Sequence, residues 1–313
     1  MNARFARYLL IRLGRAVLTV WGVTSLVFLL VHLVPGDPID AILGDQASPE
    51  DRKALRHALR LDAPLPAQYG DYLEDVASGT LGYSFRRNDK TVAQLIAIEL
   101  PHTAELSLAS LALALMLAIP LGALAALRPG TWLDRVASTG ASLGIAIPNI
   151  WLGPLLVLLF GVTLRALPLP GDEQTSGAAL VLPAVTVGTA LMAVLTRQTR
   201  AGLLEVLGQP YIRAARARGL SPAVVLFRHA LRNAALPLLT VAGAQLGALL
   251  SGAVVTERIF ERPGLGTLFL QAFFDRDIPV VQGCVLVVAV IYVAVNLVID
   301  LLYGVIDPRV RLS

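Results

Sequence analysis

The residues with reactive chemistry are few and scattered. Histidines stand at 32, 57, 102 and 229, without the spacing that metal ligands need. The one cysteine, Cys284, lies inside the last apolar run, has no partner for a disulfide within the chain and reads as a buried apolar thiol. Neither lysine, Lys53 nor Lys90, follows a glycine, and no G-x-x-x-x-G-K-[ST] occurs, so the chain offers no cradle for nucleotide phosphates. H-E-x-x-H, G-x-S-x-G and a catalytic pair of carboxylates are also missing. What stands out is "YIRAARARGL" at 211–220, three arginines within a chain that is 56% hydrophobic. The chemistry on offer there is recognition by cations and a shaped backbone, not bond making.

The elements that must position this stretch are greasy. Mean hydropathy is +0.69, and apolar blocks run near 16–34, 106–127, 136–160, 178–196, 234–256 and 280–306. Hydrocarbon takes about 20 apolar residues per helix. The blocks are continuous rather than alternating, which excludes a β-barrel and predicts an all-α membrane protein with six transmembrane helices. The N-terminal run is longer than a signal peptide and has no small-residue cleavage site before "VPGDP", so it is expected to be a retained first span.

A net charge of +4 and a pI near 9.5 do not imply nucleic acid, because the basic residues sit in the connections between spans. Fifteen fall on one set of short connections: Arg4, Arg7, Arg12 and Arg15; Arg128 and Arg135; Arg197, Arg200, Arg213, Arg216, Arg218, Arg228 and Arg232; Arg309 and Arg311. Arg165, Arg258, Arg262 and Arg276 fall on the opposite set. The positive-inside rule then places both termini and the 211–220 stretch in the cytoplasm.

Three regions follow. Residues 1–34 form the cytoplasmic N-terminus and first span. Residues 35–105 form an external segment, and 106–313 a five-helix core with a cytoplasmic loop at about 200–233. The external segment is helical by pattern. Ser48 caps a helix with Pro49 at its first position, and Leu65, Tyr69, Tyr72, Leu73 and Val76 recur at near-helical spacing up to a stop at Gly79. It is either a cap packed on its own spans or a docking face for an external protein.

In the loop, Tyr211, Ala214, Ala215 and Arg218 share one helical face, made shallow by its alanines. Gly219 suits a left-handed stop, and Ser221 and Pro222 restart a short helix carrying Val224, Val225 and Phe227. A helix, a sharp bend and a second helix with a basic rim describe a docking element, with a helix pair lying on lipid phosphates as the other reading.

This loop resembles the cytoplasmic EAA loop of ATP-binding-cassette (ABC) importer permeases, in which Glu-Ala-Ala is followed after three residues by Gly. Ala214, Ala215 and Gly219 match; Arg213 replaces the glutamate, and Pro237 lies farther on than usual. Both departures resemble the dipeptide/oligopeptide branch, with "ARARGL" at 215–220 and "RHALRNA" at 228–234. "PGDP" at 35–38, "LDAPLPAQY" at 61–69, "GTLGYSF" at 79–85, "IPNIWLG" at 147–153, "ERPGLG" at 261–266, "RDIPVVQG" at 276–283 and "DPRVR" at 307–311 extend the resemblance over nearly the whole chain.

The resemblance implies a type I importer permease of the bacterial inner membrane, with no cofactor of its own. It implies two separate ATPase subunits that bind ATP and Mg2+ and hold the helix pair, a second related permease subunit forming a heterodimer, and an external substrate-binding protein. For the passage itself, polar and helix-breaking residues at membrane depth point to Pro148 and Asn149 in the third span, Thr186 in the fourth and Gln245 in the fifth. Ser138, Thr139, Gly140 and Ser142 serve equally as small residues for helix packing. A secondary transporter or channel working alone is the rival reading, but it wants inverted repeats or buried coupling charges.

Overall fold

Apolar blocks of bilayer length become helices because hydrocarbon offers backbone groups no other partners. The computed structural model describes residues 3–33, 37–44, 47–87, 89–172 and 177–306. The "PGDP" stretch is only partly within them, and "DPRVR" lies outside them. Five helical stretches are long and apolar enough to cross a membrane: Leu10–Leu33, Val92–Leu127, Gly177–Leu207, Pro222–Leu250 and Ile278–Leu301. A bent apolar pair, Trp132–Ala146 and Asn149–Thr163, turns through 100° and makes a sixth crossing if it is one span. The third span is therefore not one straight helix. A residue before proline is pushed out of the helical region, and Ile147, before Pro148, is extended at φ −82°, ψ 116°.

The chain divides into two compact units, Met1–Thr103 with Pro263–Val293, and Ala104–Arg262 with Ala294–Ser313. In the first, α1 (Ala3–Leu33) is followed by α2 (Pro38–Leu43), α3 (Pro49–Ala58) and α4 (Leu65–Ser78). Ser48 Oγ accepts from the Asp51 N–H, and Gly79 ends α4 at φ 77°, so both helix signals in the sequence are realised. The helices α2, α3 and α4 are stitched by ion pairs of Arg52 with Asp40, Arg56 with Asp37, and Arg60 with Asp71. Phe28 of α1 packs on Tyr69 and Tyr72 of α4, with ring centroids 5.1 and 5.9 Å apart, and Ser25 Oγ lies 2.6 Å from the Tyr69 hydroxyl. Burial among these groups pushes the Tyr72 phenol up to about 12.

The next helix, α5 (Val92–Leu127), starts well before its apolar block. Thr91 and Gln94 form a reciprocal capping box: the Gln94 N–H donates to Thr91 Oγ1 at 3.3 Å, and the Thr91 N–H to Gln94 Oε1 at 3.1 Å. The first unit closes with α13 (Leu265–Phe274) and the first half of α14 (Ile278–Ile306), whose Val280 and Cys284 are buried with Val92, Leu95, Ile96 and Leu268. Buried Asp277 accepts from Ser84 Oγ at 2.5 Å and from the Phe85 N–H at 3.1 Å, which fixes the "GTLGYSF" segment to the start of α14.

The second unit is organised around α8 (Val181–Leu207), which buries Leu191, Leu195 and Leu203 among its neighbours. It packs on α6 (Trp132–Ala146) and on α11 (Leu231–Gly252). Small residues allow close approach. A Cβ on Gly122 of α5 would fall 2.8 Å from the Thr196 carbonyl and 2.7 Å from Thr199 Cβ. One on Gly144 of α6 would fall 3.2 Å from Ala193 Cβ. Beyond the bend, α7 (Asn149–Leu156) runs on as a π-helical turn, Val157–Thr163, and α12 (Val254–Ile259) packs against it; Gly153 faces Ile259 and Phe260.

Candidate functional site

The arginine-rich stretch folds as α9 (Pro210–Ala217), started by a proline at its first position. Ile212 is 0% exposed and pins the helix down. Tyr211, Arg213, Ala214, Arg216 and Arg218 are exposed and Ala215 is half-buried. The sequence face of Tyr211, Ala214, Ala215 and Arg218 thus points largely outward, with a shallow centre and a cationic edge. α9 ends in a complete Schellman motif: the Gly219 N–H donates to the Arg216 carbonyl at 2.9 Å and the Leu220 N–H to that of Ala215 at 3.4 Å. Gly219 sits at φ +81° with open space around its missing side chain, so the backbone angle and not crowding calls for glycine. Ser221 Oγ then accepts from the Val224 N–H and Pro222 opens the next helix.

That next helix is not short. α10 (Pro222–Val224) passes through a π-helical turn, Val225–Ala230, straight into α11. No breaker intervenes, and Pro237 is carried within the helix. The helix pair at 210–230 is therefore one separate helix and the extended foot of a span. Val225 is buried, while Phe227 is 70% exposed beside exposed Arg228. Tyr211 is also tied to the foot of the fifth span, because Asn233 Nδ2 donates to its hydroxyl at 2.9 Å and to the His229 carbonyl at 2.8 Å.

The candidates for the passage are not gathered in the same way. Pro148 is exposed and caps α7 without a side-chain hydrogen bond, and Asn149, half-buried, is the first residue of α7. Thr186 is fully buried in α8 and donates to the Leu182 carbonyl at 2.8 Å. Gln245 is half-buried on α11. No hydrogen bond between described residues joins Thr186 or Gln245 to the bend. No metal-binding cluster occurs among the described residues.

One constellation escaped the sequence reading. Asp134, 5% exposed in the first turn of α6, accepts from Arg200 of α8 through Nε at 2.6 Å and Nη2 at 2.8 Å. It also accepts from the Gly130 N–H at 2.9 Å and Ser138 Oγ at 3.3 Å. The two residues are 66 positions apart, and Arg200 reads in sequence as one more topogenic charge. An aspartate at the foot of an apolar block was the available signal.

Residues 118–312 match the family described as "Binding-protein-dependent transport system inner membrane component", and residues 5–109 match its N-terminal companion. The chain belongs to this family. It is 41% identical over 327 residues to the di/tripeptide transport system permease protein DppB of Pseudomonas aeruginosa, covering 96% of this chain and 97% of that one. It is 39% identical over 314 residues to the oligopeptide transport system permease protein AppB of Bacillus subtilis, covering 98% and 99%. In fold, it is similar to the inward-facing MetNI methionine ABC transporter at a TM-score of 0.57 and 21% identity, over 68% of this chain and 97% of that one. The permease is thus a multi-pass membrane protein with the fold of type I ABC importers.

Proposed function

We propose that this permease is the transmembrane subunit of an ATP-driven importer that moves di- or oligopeptides, or similar small solutes, into the cytoplasm by alternating access. The observation that carries this reading is the site at 210–222: an exposed arginine-edged helix anchored by Ile212 and turned by Gly219 onto the foot of the fifth span. ATP and Mg2+ bind to two separate ATPase subunits, one of which grips α9 and the exposed Phe227. Closure of those subunits on ATP moves α9, and α8 and α11 carry the motion into the membrane. The peptide substrate class is supported by the near-full-length kinship with DppB and AppB.

The arginine distribution supports both termini and α9 lying in the cytoplasm. A second, related permease subunit completes the passage as a heterodimer, and an external binding protein delivers solute to the 35–105 segment. Gly219→Val tests the lever. A β-branched residue resists positive φ, at a cost of roughly 1–2 kcal/mol or more. In the reconstituted complex, ATP hydrolysis is expected to continue while solute uptake falls, whereas Gly219→Asn retains uptake. Wild-type coupling in the valine variant would remove the bend from the mechanism.

A further inference from the structure

Resting on that reading, we infer that Asp134 and Arg200 are positioning residues for transport: their fork locks the start of α6 to the last turns of α8, so that movement of α9 reaches the bend at Ile147–Pro148.

The geometry runs as a chain of fixed joints. Only Gly208 and Gln209 separate α8 from α9, and Arg200 stands two turns before the end of α8. The Asp134 carboxylate takes two parallel bonds from the guanidinium and is saturated by Gly130 and Ser138. A planar fork fixes both distance and direction between two helices, which an apolar contact does not. Farther along the same pair of helices, Gly144 seats on Ala193 and Thr189, three residues before Ile147. α6 is therefore held to α8 near both of its ends. A displacement of α9 pulls α8, α8 carries α6, and α6 ends at the bend. Burial of Asp134 does not by itself argue for a stabilising role, because apolar residues of similar volume pack as well. What they would lose is the directional tie.

The test uses the full complex in liposomes, scoring ATP consumed per solute imported. Asp134→Asn and Arg200→Lys are expected to raise that ratio roughly tenfold, within the range of a typical coupling free energy, while ATPase subunits still co-purify. The paired variant Asp134→Cys with Arg200→Cys is expected to be equally uncoupled, to regain coupling when its thiols are joined by a short reducible bifunctional reagent, and to lose it again on reduction. An unchanged ratio in all variants overturns the proposal. So does a loss of uptake that tracks loss of assembly in both single variants, or a cross-link that blocks transport. Failure of the unmodified permease to bring ATPase subunits with it counts against the importer reading itself.

Discussion

Two of the permease's sharp turns, both among the described residues, are built from opposite chemistry. At 218–222, glycine adopts a left-handed angle, both Schellman bonds close, and Ser221 caps the helix that follows. At 146–149, proline forces Ile147 out of the helix, and α7 begins on Pro148 with no side-chain cap. The first turn is self-sufficient in hydrogen bonds and serves as a rigid elbow wherever it is placed. The second leaves the start of α7 without a side-chain cap in an apolar stretch, where free backbone groups are tolerated only against protein or a water-lined cavity. A self-contained bend suits a handle for another subunit, and an open one suits the edge of a passage.

Three substitutions break or sharpen this contrast. Ile212→Ala removes the buried anchor of the rigid elbow at a cost of about 2–5 kcal/mol. It should speed hydrogen exchange across 210–219 and weaken recovery of ATPase subunits; unchanged exchange would show that α9 is held by something else. Asn149→Leu deprives the open bend of its adjacent polar group. If that group lines the passage, uptake should fall with assembly intact, and a defect in assembly alone would reduce Asn149 to packing. The smallest effect is expected from Ser221→Ala, about 1 kcal/mol for a lost cap, read as earlier unfolding of the α9–α10 elbow with uptake little changed.

Much of the elbow was legible because its determinants are local. Gly219, Ser221 and Pro222 each act on their own backbone, as Ser48, Pro49 and Gly79 do in α3 and α4. The passage through Val225–Ala230 into the fifth span was not legible, since a π turn has no breaker to announce it. The broken third span was written in Pro148, yet hydropathy over 136–160 masks a bend that costs no apolar residues. The capping box at Thr91 and Gln94 lies upstream of the greasy block it starts, so the second long helix looked shorter than it is. The fork between Asp134 and Arg200 depends on which helices meet, and one sequence does not state that. Thr186, a candidate for the passage, donates its hydroxyl to the Leu182 carbonyl of its own helix, as threonine does in α-helices.

The bare contact at Gly122 has a mechanical corollary. With no side chain there to act as a cushion, α5 and α8 meet without a compressible layer, and close-packed interiors pass strain on rather than absorb it. Whatever push arrives along one is delivered to the other without backlash. A single methyl group at residue 122 would wedge them apart and give the machine play.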